Sequence, residues 1–216
     1  MRQLVRTLAA ISILAGLFGA QQVGAGFVGM PRMLVPQLKR IAFGDQTLAP
    51  FAHTLFCTRH PAECVPHRTV FRGGPIALTA ERRDELLKVN AQINSSIIPK
   101  RNTEGAGKAW VVSPKTGDCN DYAVTKRHEL LARGWPSRAL LLAEVVTTSG
   151  EHHLVLVVRT REGDIVADNL SQDIKLWTRT PYQWIRIQSP KNPAFWSSLA
   201  RASTAPLELA SAQRAG

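Results

Sequence analysis

The sequence predicts one α+β domain, a helix followed by an antiparallel sheet, and three observations lead there. Residues from Cys119 to about Arg133 place Ala123 and Leu130 on one helical strip and Val124 and Leu131 on a second, the spacing of a helix buried along one side. Gly134 and Pro136 then stand where a helix stops. After them come short segments rich in Val, Leu and Ile with turn residues between. Helix first and strands grouped behind it is the α+β order, unlike the alternation that builds a parallel sheet.

In chain order, Arg2 and Arg6 precede an uncharged apolar stretch from Leu8 to Ala20, and Val23-Gly24-Ala25 supplies small residues. This is the layout of a signal peptide over residues 1–25, with cleavage after Ala25 and Ala20 as the second choice. The stretch is shorter than the roughly 18–20 residues of a membrane span, although an uncleaved anchor is the alternative. The expected location is therefore periplasmic or secreted. Residues 26–55 read as an irregular lead-in broken by Pro31, Pro36 and Pro50. The domain proper is expected over 56–199. Its first helix runs from Thr79 to Asn94, with Thr79 as N-cap, early acidic residues, and Leu86, Val89 and Ile93 at helical spacing. Pro99 to Lys108 is a polar loop before the helix that opens at Cys119. Strands follow at 138–147, 153–159, 164–168 and 182–188, with Gly150 and Arg161-Glu162-Gly163 turning between the first three. Residues 200–216 are a small, polar tail.

A hydrophobic content of 44% suits a globular enzyme. The net charge of +11 favours anionic envelope surfaces as neighbours. The basic residues are scattered in short pairs such as Lys39-Arg40, Arg82-Arg83, Lys100-Arg101 and Lys126-Arg127. They read as a solvated surface, and no nucleic-acid module surrounds them. Of three cysteines, Cys57 and Cys64 lie close together and Cys119 is remote. In an oxidising compartment the near pair most simply forms a disulfide. Two other readings stay open: a zinc site from Cys57, His60, Cys64 and His67, and free thiols.

The chemistry concentrates at Cys119. A thiolate is the nucleophile, a free thiol titrates near about 8.5, and the unpaired N–H groups of a helix start favour an anion. An imidazolium partner does far more. His153 heads the strand Leu154-Val155-Leu156-Val157-Val158, and strand alternation turns His152 to the opposite face. His128 lies too deep in the helix to reach its start. Asp168 would accept from the second imidazole nitrogen, with Asn169 as a substitute. The competing reading is a structural buried cysteine and a turn at Asp168-Asn169.

The run Gly117-Asp118-Cys119-Asn120-Asp121-Tyr122-Ala123, with His153-Leu154-Val155-Leu156 and Asp164-Ile165-Val166-Ala167-Asp168-Asn169-Leu170, resembles the bacterial transglutaminase-like cysteine peptidases. The LapG-type periplasmic proteases that release surface adhesins belong to that family. The resemblance extends from Phe56 to Trp196 and implies a papain-like, transglutaminase-like fold with the nucleophile at a helix N-terminus packed on an antiparallel sheet. It implies a Cys119, His153, Asp168 triad acting through an acyl-enzyme on an envelope protein, with a membrane receptor as a further partner. A transamidase and a catalytically idle envelope-binding module are the rival functions. The oxyanion donors would be the Cys119 N–H and a side chain, for which Trp110 and Asn94 are candidates. No cofactor is expected to be required. The LapG-type members hold calcium with acidic residues around the cysteine, which makes Asp118, Asn120 and Asp121 the candidate ligands. The family has Glu where this chain has Asn120, so one charge is lost and any calcium site should be weak.

Overall fold

The computed structural model describes residues 39–66 and 74–199. The expected signal peptide, the tail and His67 lie outside them. Seven strands form one antiparallel sheet: β1 (Phe43–Thr47), β4 (Leu140–Val146), β5 (His152–Thr160), β6 (Gly163–Ala167), β7 (Lys175–Leu176), β8 (Gln183–Gln188) and β9 (Trp196–Leu199). Their order across the sheet is β1-β9-β8-β4-β5-β6-β7. Two short strands, β2 (Ile98–Pro99) and β3 (Thr116–Gly117), pair in parallel apart from it. The helices are α1 (Phe51–Arg59), α2 (Ala80–Ser96) and α3 (Cys119–Ala132).

The sheet separates two apolar clusters because strand side chains alternate. Leu140, Leu142, Leu154, Leu156 and Val158 join Val124 and Leu130 of α3 and Val89 of α2 in one. Leu141, Ala143, Val145, Val155 and Val157 form the other with Val166 and Ile187. Thr79 caps α2 by accepting from the Arg82 N–H at 3.4 Å, as its sequence predicts. The hairpin from β5 to β6 turns through Gly163, whose φ of +142° excludes most side chains.

Several expectations are corrected. The segment read as an irregular lead-in contains β1, which pairs with β9, and most of α1. Pro50 does not break that region. It stands at the N-cap of α1, where a missing N–H leaves no helical bond unmade. Helix α3 is not buried along one side only: Tyr122, Val124, Thr125, Lys126, Arg127 and Leu130 are all buried. The Lys126-Arg127 pair, read as solvated, therefore lies in the interior. The guanidinium of Arg127 donates to Glu63 Oε2 at 2.7 Å, to the Glu63 carbonyl at 2.9 Å and to the Leu140 carbonyl at 3.1 Å. That partner set is what makes a buried cation tolerable.

Candidate active site

Asp118 is the N-cap of α3, and its Oδ1 accepts the Asn120 N–H at 3.0 Å. Asp121 Oδ2 reaches back to the Asp118 N–H at 3.0 Å, closing a capping box. Gly117 makes the turn possible. A Cβ there would meet Asp121 Oδ2 at 2.7 Å and Asp121 Cβ at 2.8 Å, so the carboxylate can fold back only against a glycine. Cys119 is the first residue of α3, a half-buried free thiol.

Strand β5 brings His153 to this point, and the segment after β6 brings Asp168. His153 Nε2 lies 2.8 Å from Asp168 Oδ1, with both side chains buried. Burial alone would lower the His153 pKa. The Asp168 hydrogen bond, the Cys119 thiol and the charges of both outweigh it and raise the ring to about 9. Burial pushes Asp168 up, but His153, the Tyr182 hydroxyl and the Leu170 N–H hold its pKa below the ordinary value. Tyr182 donates to Asp168 Oδ2, its own pKa raised by burial and by that carboxylate. The other oxygen, Oδ1, also accepts the Leu170 N–H at 3.0 Å. Cys119, His153 and Asp168 are thus brought together, and the pairing leaves the imidazole favoured as a cation.

The neighbours of these residues separate cleanly. His152 is largely exposed, with Nδ1 2.7 Å from Glu144 Oε1; it borders the same cleft as the buried His153, but its ring is paired with Glu144 and not with Asp168. His128 bonds Glu63 at the far end of α3. Asn169 borders the cleft, and its buried Oδ1 has no hydrogen-bond partner; it is Asp168 that meets the ring. Asn94 is not placed as an oxyanion donor: it does not line the cleft, and its Nδ2 donates to the Asp168 carbonyl at 2.9 Å and to the Ser171 carbonyl at 3.4 Å. It anchors the backbone of the carboxylate instead. Trp110 is buried and borders the cleft with Cys119.

The cleft has a volume of about 920 Å³ and exposes Phe51 and Leu170 on its rim. Within it, Lys108 Nζ lies 2.9 Å from Asp118 Oδ2 and 2.6 Å from Asp121 Oδ2. Burial disfavours its charge, yet the two carboxylates prevail and raise its pKa. Farther along α3, Lys126 is buried, and desolvation lowers its pKa to about 7 against the opposing charge of Asp168. Sequence reasoning missed Tyr182, Lys108 and Lys126. None of the three left a signal of its own: Lys108 is one of four basic residues between Pro99 and Asp118, with Lys100, Arg101 and Lys115.

Cys57 and Cys64 are joined in a disulfide, with Cα atoms 5.6 Å apart. The ring near them is not His60 but His53, whose Nε2 lies 3.5 Å from Cys57 Sγ. Trp196 Nε1 donates to His53 Nδ1 at 3.2 Å, and Gln188 Nε2 lies 3.0 Å from Nε2. Burial, with the Arg127 charge added, lowers the His53 pKa to about 4.

A family model described as bacterial transglutaminase-like cysteine proteinase (BTLCP) matches residues 43–204. No curated protein sequence matches. Among solved structures, Legionella pneumophila LapG is 26% identical with a TM-score of 0.45, covering 53% of this chain and 66% of that one. This chain therefore spans a little under two thirds of that structure. The EGTA-treated form of the same protein is 26% identical with a TM-score of 0.46, covering 56% of this chain and 69% of that one. The calcium-bound form is 19% identical with a TM-score of 0.47, covering 73% and 86%. The family match takes in α1, α2, α3 and the sheet, and with it the papain-like, transglutaminase-like α+β arrangement. This chain belongs to the bacterial transglutaminase-like cysteine proteinases, a family of cysteine peptidases.

Proposed function

We propose that the protein is an exported peptidase that cleaves an envelope protein through an acyl-enzyme formed on Cys119. The supporting observation is the chain of contacts in which His153 joins Asp168 at 2.8 Å and takes Cys119 as its second partner. His153 removes the thiol proton and is held as an imidazolium by Asp168, itself held by Tyr182. The thiolate adds to the scissile carbonyl carbon. His153 then gives its proton to the departing amine as the C–N bond breaks, leaving a thioester. A water deprotonated by His153 adds to that thioester, and Cys119 leaves as thiolate. The oxyanion is assigned to the Cys119 N–H, one of the unpaired donors of a helix start, and to the indole of Trp110.

The periplasm is the proposed site of action, on the strength of the N-terminal sequence and the Cys57–Cys64 disulfide, which belongs to an oxidising compartment. Among the described residues no helix is long and apolar enough to cross a membrane. The exposed Phe51 and Leu170 beside the cleft suit an extended, partly apolar peptide. A surface adhesin is the substrate class that the sequence resemblance suggests. The test is a comparison of exported proteins from a deletion strain carrying the wild-type or the Cys119→Ser gene. A polypeptide shortened only by the wild type supports the reading, and identical profiles, with no thiol labelling of Cys119 by an active-site probe, would overturn it. Mass spectrometry of products separates hydrolysis from transamidation.

Calcium calls for a test of fit. Of the carboxylate oxygens of Asp118 and Asp121, every one already meets a protein donor, and one of those donors is an ammonium. Asn120 adds one neutral amide oxygen at most. This donor set does not suit a hard dication that takes six to eight oxygens, and no catalytic step is assigned to one.

A further inference from the structure

We infer that Lys108 is a built-in cation that holds the turn ahead of Cys119 and makes a bound calcium ion unnecessary there. The ammonium stands between the two carboxylates, at 2.9 Å from Asp118 and 2.6 Å from Asp121. Their side chains are only 8% and 2% exposed, and that of Lys108 17%. Two adjacent anions at so shielded a place repel each other unless a positive charge lies between them. The helix start offers a positive field, but it is a fraction of one charge. Lys108 supplies the remainder, and it is covalently part of the chain, so no free ion has to be captured.

The same contacts position the cleft wall. Val111 N–H donates to Asp121 Oδ1 at 2.9 Å, and Ser113 N–H donates to Thr125 Oγ1 at 2.8 Å. Lys108, Val111 and Ser113 thus tie one loop to α3 at three points, and Trp110 sits between the first two. Lys108 is a positioning residue: it acts on the Cys119 turn and on Trp110 through Asp118 and Asp121. The inference concerns this turn and not the reaction, so its tests read binding and melting whether or not a peptide is cleaved.

The chain without its N-terminal 25 residues, freed of metal with EGTA, would be titrated with calcium chloride in a calorimeter and melted in millimolar calcium or in EGTA. The expected result is no binding heat and the same melting temperature in both. Lys108→Met keeps the length of the side chain but removes its charge. It should melt lower in EGTA, and calcium should raise its melting temperature while leaving the unaltered chain unchanged. Rescue by an added dication is a response that lost packing alone does not produce. Lys108→Arg should resemble the unaltered chain in its indifference to calcium. Micromolar calcium binding by the unaltered chain would overturn the inference. So would a Lys108→Met variant that melts like the unaltered chain, or one that calcium does not raise. Should Lys108→Met not fold, the calorimetry of the unaltered chain and of Lys108→Arg still decides, and calcium binding by either would count against it.

Discussion

Among the described residues two histidines are buried, in opposite electrical states. His153 is 5% exposed and His53 is 1% exposed, yet the first is raised to about 9 and the second lowered to about 4. Desolvation acts on both rings in the same direction, against the cation. Their partners make the difference. His153 faces the acceptor oxygen of Asp168 and the Cys119 sulfur, so a second ring proton has somewhere to go. His53 faces the indole N–H of Trp196, which can only donate, and the amide nitrogen of Gln188. With the charge of Arg127 acting on it as well, its protonated form has neither an acceptor nor an anion. One ring has partners on which a proton can be held and passed, and the other packs beside a disulfide. Burial alone does not distinguish them.

The sharpest way to break this contrast is to remove the reactive side of it. Cys119→Ser and His153→Ala should each cut peptidase turnover by about 10³-fold or more. Cys119→Ser should leave the melting temperature little changed, whereas His153→Ala should also lower it, because Asp168 stays buried without its partner. A Cys119→Ser variant that loses turnover only as far as it loses folded protein would mean that the thiol only supports the fold. Asp168→Asn should reduce turnover less, because an amide still orients the ring, and should move the alkaline limb of activity down by about one to two pH units. The sign follows from a raised pKa. Stability gained through the His153 cation is complete below about pH 6.5 and is lost as pH rises through about 9, so thermal melting should decline over that window. A limb unmoved by Asp168→Asn would assign it to another group.

His53 should show the mirror image. Its lowered pKa means that the unfolded chain takes up a proton first, so stability is complete above about pH 6.5 and falls on the way to about 4. That loss is roughly 3 kcal/mol. His53→Gln should start less stable but flatten this acid slope, and melting measured at a series of pH values would detect it. Replacing Cys57 and Cys64 together by serine should cost about 2–3 kcal/mol, as expected for a short closed loop, and leave thiol labelling of Cys119 intact. His152→Ala should have the smallest effect, within about twofold in turnover, since its ring is largely exposed and Glu144 keeps Arg186 as a partner. A loss as large as that of His153→Ala would reverse which histidine carries the contrast.

Local chemistry was readable from the sequence wherever it was carried by neighbours. Thr79 marked the start of α2, the Val and Leu run after His153 marked β5, and alternation along it told His152 from His153. What escaped was set by distant partners. Lys126-Arg127 looks like any solvated basic pair, because Glu63 lies 64 positions from Arg127. Tyr182 meets Asp168 across a sheet that no periodicity describes. Helix α1 was hidden by Pro50, a residue read as a break where it serves as a cap.

The strand order has a consequence for how the chain is made. The first strand of the described region, β1, pairs with the last, β9, with Phe43 opposite Leu199. The β1 edge of the sheet is therefore not completed until nearly the whole domain has emerged from the ribosome, while the β4 to β7 side is already paired once Leu176 is made. Contacts of such long sequence separation form slowly. A chain that cannot complete this edge early stays threadable for longer, which would serve the proposed passage across a membrane before folding.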